Sequence, residues 1–93
     1  MPRYFFHICD GVDFKDEDGT EFPDMVAAER AGLVLIADYV RDHVADLQQH
    51  GALTLTIADE DGLSLATVLL STMRSPAADG RSAAVDRARA GLI

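Results

Sequence analysis

The chain has 93 residues, 48% of them hydrophobic and 26% charged, with a formal net charge of −8. One domain of this length buries about 60–65% of the surface its unfolded chain exposes, which excludes two separate cores, and the apolar share is that of a folded protein. Sixteen acidic groups against eight basic ones repel phosphate backbones and anionic lipid surfaces, so direct binding to nucleic acid or to a membrane surface is disfavoured.

Arg3 to Cys9 is mostly aromatic or β-branched, which suits a pleated strand, and Asp10-Gly11 supplies a turn after it. Residues 12–15 form a short return strand. Asp16-Glu17-Asp18-Gly19 reads as a turn in which Asp bonds its own backbone and Gly takes positive φ, with the strand resuming through Thr20-Glu21-Phe22. Pro23-Asp24 marks a helix start, since Asp caps free amides and complements the positive end of the helix dipole. From Met25 to His50 one long helix is expected, with Val26, Leu33, Ile36, Ala37, Val40, Val44 and Leu47 as its apolar stripe and Gly51 beyond its end. Gly32 weakens such a helix by about 1 kcal/mol relative to Ala, a cost that fits a close approach to a strand.

Residues 53–58 alternate between large apolar and small or polar side chains, pointing Leu53, Leu55 and Ile57 into a core. Asp59-Glu60-Asp61-Gly62 repeats the earlier acidic turn letter for letter, and residues 63–72 form the last strand of a second hairpin. The expected fold is therefore α+β of order ββαββ: a four-stranded, mainly antiparallel sheet with one long helix on one face. Residues 1–73 make the domain, and residues 74–93 a linker followed by an Ala- and Arg-rich short helix capped by Ser82. The division shows in the charge: residues 1–73 hold 14 acidic and four basic groups, whereas residues 74–93 hold two and four.

Alternation places Phe5, His7 and Cys9 on the sheet face away from Tyr4, Phe6 and Ile8. These three residues are the candidate partner-facing surface. Neither face of the first strand is polar, so both are expected to be covered, the second either by Val85, Leu92 and Ile93 of the C-terminal segment or by a second copy in a homodimer. A lone cysteine permits no internal disulfide and fits a reducing, cytoplasmic setting, and the N-terminus has no signal-peptide pattern. The longest nearly apolar run, residues 31–40, is too short to cross a bilayer.

The acidic turns do not have calcium-loop spacing: with Gly19 or Gly62 at the sixth position, the first and twelfth positions are Phe14 and Met25, or Ile57 and Val68. A weak surface cation site at Asp16, Asp18 and Glu21 is the remaining metal alternative. His43 and His50 lie two helical turns apart, too far to share an ion, and His7 with Cys9 on a flat strand lacks the geometry of a base and nucleophile. No phosphate loop, serine elbow or zinc-ligand pair occurs. Accordingly no catalytic residue, metal or cofactor is assigned, and the expectation is a protein without enzymatic activity.

Met1-Pro2-Arg3-Tyr4-Phe5-Phe6-His7, the Asp10-Gly11 turn, Asp16-Glu17-Asp18-Gly19, Phe22-Pro23-Asp24, the Ala-rich helix start and the second Asp-Glu-Asp-Gly together resemble a family of short bacterial proteins classed as a domain of unknown function. The resemblance spans roughly residues 1–70 and implies no activity. The aromatic opening strand, Asp-Gly hairpin and Ala- and acid-rich helix are also similar to HicB-type antitoxins, a likeness that implies a small basic protein as partner. The arginines at 74, 81, 87 and 89 are too few and too scattered to support the DNA-binding segment such antitoxins often carry.

Overall fold

A computed structural model describes residues 1–79. Five strands and two helices follow in the order β1 (Arg3–Cys9), β2 (Asp13–Phe14), β3 (Thr20–Glu21), α1 (Met25–Asp42), α2 (Val44–His50), β4 (Ala52–Ala58) and β5 (Ser64–Ser71), with a 3-10 turn at Pro76–Asp79. The sheet is antiparallel in the order β2-β1-β4-β5, and β3 also pairs with β1. The fold is thus α+β as expected. The C-terminal helix expected from Ser82, and the cover expected from Val85, Leu92 and Ile93, lie outside the described residues.

Leu53, Leu55 and Ile57 are fully buried under the helices, as their alternation requires. Register carries the pattern across the sheet: Phe6 stands opposite Ile57 and Ile8 opposite Leu55 on one side, with Ala66 opposite Ile57 and Val68 opposite Leu55 on the other. Tyr4, Ala28 and Ile57 form one part of the core and Ile36, Leu53 and Leu55 the other, with Phe6 packed against both. Phe22 closes the first part, its ring 5.8 Å from Phe6 edge-on and 6.1 Å from Tyr4.

Asp24 caps α1 as anticipated, Oδ1 accepting the Ala27 N–H at 2.9 Å. The stripe that faces the sheet is only partly the one expected, since Ile36, Val40 and Leu47 pack on the core as the spacing requires. Ala28, Gly32 and Ile36 are buried, whereas Val26 is 70% and Leu33 48% exposed, and Val44 and Ala37 also face out. A Cβ on Gly32 would sit 3.0 Å from Leu55 Cδ2 and 3.3 Å from both Ile57 Cδ1 and Phe6 Cε1, so the helix lies too near the strands for large side chains. Small residues therefore face the sheet where the layers lie closest, Ile36 and Val40 pack on the core farther along, and Val26 and Leu33 are turned outward.

The expected single helix is two. His43 has φ −130°, its N–H bonds the Val40 carbonyl at 3.2 Å, and its ring Nδ1 donates to the Tyr39 carbonyl at 2.8 Å. In a continuous helix the His43 amide itself would take that carbonyl. The side chain displaces it, the ring stacks on Tyr39 at 3.9 Å, and α2 restarts with Leu47 N–H bonded to the His43 carbonyl. Leu47 then reaches the Leu53 end of the core, and Gly51 ends α2 in the left-handed region.

Gly32→Ala tests the close approach. Helix propensity favours Ala by about 1 kcal/mol, but overpacking a core that cannot yield costs about 1–3 kcal/mol. Urea unfolding is expected to show a net loss of about 1 kcal/mol; a more stable variant would mean the helix–sheet contact is slack.

Candidate functional site

The helix-free face of the sheet carries the three residues singled out by alternation. Phe5 stands opposite Ala58, His7 opposite Thr56 and Cys9 opposite Thr54. The rows continue into β5, with Thr56 opposite Thr67 and Thr54 opposite Leu69. On β5, Thr67 and Leu69 lie on this face and Ala66, Val68 and Leu70 share the helix side, while Leu65 stands at the irregularity between Ser64, opposite Ala58, and Ala66, opposite Ile57. The face is consequently more polar than expected, with Arg3, His7, Thr54, Thr56 and Thr67 among its members. Large apolar residues are exposed at its β5 side, where Leu65 is 42% and Leu69 63% exposed, and Cys9 on β1 is exposed.

At the opposite side of this face, residues 15–19 loop out between β2 and β3. Ile8 pairs with Phe14 and Tyr4 with Thr20, so one edge of β1 is occupied at both ends and interrupted at Phe6. Asp16 fills the interruption. Its Oδ2 accepts the Phe6 N–H at 3.2 Å, its Oδ1 accepts the amides of Asp18 at 3.2 Å and Gly19 at 3.0 Å, and its own N–H donates to His7 Nδ1 at 3.1 Å. Burial alone would raise the Asp16 pKa, but the Gly19, Phe6 and Asp18 amides and the nearby His7 outweigh it, holding the carboxyl below the usual range. Gly19, at φ +70°, lets the loop lie over Phe5 and Arg3: a Cβ there would be 2.9 Å from Phe5 Cε2 and from Arg3 Cγ. Arg3 steadies the loop through the carbonyls of Asp18 at 2.9 Å and Gly19 at 3.4 Å.

These contacts bear on the earlier alternatives. His7 is engaged by Asp16 through the nitrogen a base would use, and both Asp16 oxygens face backbone amides instead of solvent. Among the described residues no three His, Cys, Asp or Glu side chains are arranged to hold a metal ion. The second acidic turn differs from the first: Asp59 Oδ1 accepts the amides of Asp61 and Leu63, both at 2.9 Å, closing the β4–β5 connection on itself.

A second group of polar side chains lies at the β1–β2 turn, and sequence reasoning missed it. Asp10 is the buried charged residue there. Tyr39 donates its hydroxyl to Asp10 Oδ2, while Val12 N–H reaches Oδ1 at 3.4 Å. The Tyr39 bond, with smaller help from Val12 and the charge of His50, holds Asp10 below the usual carboxylate range against the opposing effect of burial. Burial first, then the bond to Asp10 and its charge, push the Tyr39 hydroxyl up to about 12. Phe14 meets the same ring at 6.4 Å, and His43 stacks on its other side. The group ties the hairpin to the point where the helix breaks. Only the positions of Asp10 before Gly11 and of a lone Tyr on the helix hinted at it.

Two measurements follow from these bonds. Asp16→Ala orphans three amides and is expected to lower stability by about 1–3 kcal/mol. Because the folded-state pKa of Asp16 is depressed, its contribution is present above the unfolded value near 3.8 and is lost as pH falls through the folded value. The stability gap between wild type and Asp16→Ala should therefore shrink in acid; a gap that does not change would remove the carboxylate from this role. For Tyr39 the sign is reversed, since its pKa is raised from 10.0 to about 12. The stability gap between wild type and Tyr39→Phe should be intact below pH 10 and close as pH rises toward about 12.

Neither the curated proteins nor the solved structures contain a match to this chain. A family model does match, over residues 3–71, and it takes in every strand and both helices. The chain belongs to the family described as a domain of unknown function, DUF6894.

Proposed function

We propose that the protein is a non-enzymatic protein-interaction or regulatory module of the cytoplasm that associates with a second copy of itself. The observation that carries this reading is large apolar side chains left in solvent on β5, chiefly Leu65 and Leu69, beside the Phe5, His7 and Cys9 rows. The absence of enzymatic activity is part of the proposal and is supported by the state of the polar groups. Asp16, His7, Asp10 and Tyr39 are bonded to one another or to backbone. The depression lined by Phe22, Asp24, Val26, Ala27, Arg30 and Ala31 is open and shallow, and Asp24 there is already the helix cap. No helix among the described residues is long and apolar enough to cross a membrane.

The charge supports a second reading, in which the acidic body binds a small basic protein as HicB-type antitoxins bind their toxins. Residues 1–73 hold 14 acidic groups, and those of the 59–62 turn and the 16–19 loop face outward apart from Asp16 and Asp59. Native purification with no small basic protein in company would count against it.

Sedimentation equilibrium on the full chain tests the first reading. A dimer in reversible equilibrium with monomer is expected. A single-chain mass at every concentration up to the solubility limit would contradict it.

A further inference from the structure

We infer that the second copy docks edge to edge on β5, antiparallel, about a twofold axis that sets Thr67 opposite Thr67 of the second copy and continues the sheet from one chain into the other. This rests on the self-association proposed above and specifies where and how it occurs.

The first support is the backbone. β5 is hydrogen-bonded to β4 alone, so among the described residues its outer edge has no partner. Soluble proteins blunt such edges with charge, proline, bulges or short length, because a free row of N–H and C=O groups templates pairing with another chain. Of these β5 has only a bulge, at Leu65 near its start, between Ala66 opposite Ile57 and Ser64 opposite Ala58. It runs eight residues, Ser-Leu-Ala-Thr-Val-Leu-Leu-Ser. The other side of the sheet shows the contrast: there the edge is filled by β2, β3 and the Asp16 carboxylate.

The second support is charge. Two copies at −8 each repel over most of their surfaces, yet residues 63–73 contain no charged group at all. The acidic turn at 59–61 precedes this stretch and Arg74 follows it. Antiparallel pairing brings Arg74 of each copy to the acidic turn of the other, twice over. Parallel pairing would set Arg74 beside Arg74 and acid beside acid.

Side chains select the centre. A twofold perpendicular to a continuous sheet places one residue opposite itself, and pairs about it share a face. Centred on Thr67, Leu65 falls opposite Leu69 of the second copy, and Leu69 opposite its Leu65. The two most exposed leucines of β5 are thereby brought together. Centred on Val68, Leu65 would meet Ser71 and the match would be lost.

The test is sedimentation of three full-length variants beside the wild type, each checked for native circular dichroism. Leu69→Lys puts a charge into both leucine pairs and is expected to raise the dimer dissociation constant by at least about tenfold. Leu33→Lys, on the outer face of α1, should leave it unchanged. Thr67→Cys in a Cys9→Ser chain should form an intermolecular disulfide under mild oxidation, because residues opposed across antiparallel strands have Cα atoms about 4.5–5.5 Å apart, within disulfide reach. A wild-type chain that stays monomeric would overturn both this inference and the self-association beneath it. A wild-type dimer that survives Leu69→Lys, dissociates with Leu33→Lys, or does not cross-link at position 67 would overturn the β5 arrangement and leave self-association standing.

Discussion

Backbone N–H and C=O groups at the edge of a sheet need partners, and among the described residues this fold meets that requirement on one side only. On the β1 side, alternation turns the backbone of Tyr4, Phe6 and Ile8 toward the edge away from β4. Two-residue strands take the ends, and a carboxylate takes the middle. Asp16 thus does what a strand carbonyl would do, and the loop that carries it shields Phe5 as well. On the β5 side, among the described residues, a long, uncharged strand with a bulge at its start ends the sheet. The docking of a second copy on β5 descends from this asymmetry.

The helices are shaped by a different constraint, the distance at which α1 must lie over β1 and β4. Ala28 and Gly32 permit a close approach, which buries Leu55 and Ile57 completely but leaves little room for wide side chains between the layers. The break at His43 lets Leu47 reach the core, and Tyr39, just before the break, is anchored to Asp10 in the first hairpin. Through that bond the turn after β1, the helix junction and Phe14 of β2 are held as one unit.

The strands were the most legible part of the chain. Period-two alternation at residues 3–9 and 53–58 identified both central strands and the correct inward residues, because a strand has only two faces and the core needs one. The helix was harder. Counting apolar residues selected Ile36, Val40 and Leu47, which do pack on the core, together with Val26, Leu33, Ala37 and Val44, which do not, because inter-layer distance decides the inward face and Gly32 was the clue to that distance. The break at His43 depends on a side chain taking a carbonyl from the backbone, which involves neither Gly nor Pro and leaves no periodic trace. The two Asp-Glu-Asp-Gly segments, identical in letters, diverge because one closes a hairpin locally while the other faces a strand edge ten residues away in sequence. Phe5, His7 and Cys9 share one face of β1, as alternation requires, but the most exposed large apolar residue of that face, Leu69, belongs to β5.

Residue-resolved amide exchange by NMR, recorded across a wide range of protein concentration, bears most directly on the open edge. Alternate amides of β5 face β4 and should be protected at every concentration. The amides between them face outward, and edge pairing predicts that their protection rises with concentration alongside the dimer. Outward amides that exchange freely at the highest concentration, in a sample whose β4-facing amides stay protected, would contradict the account.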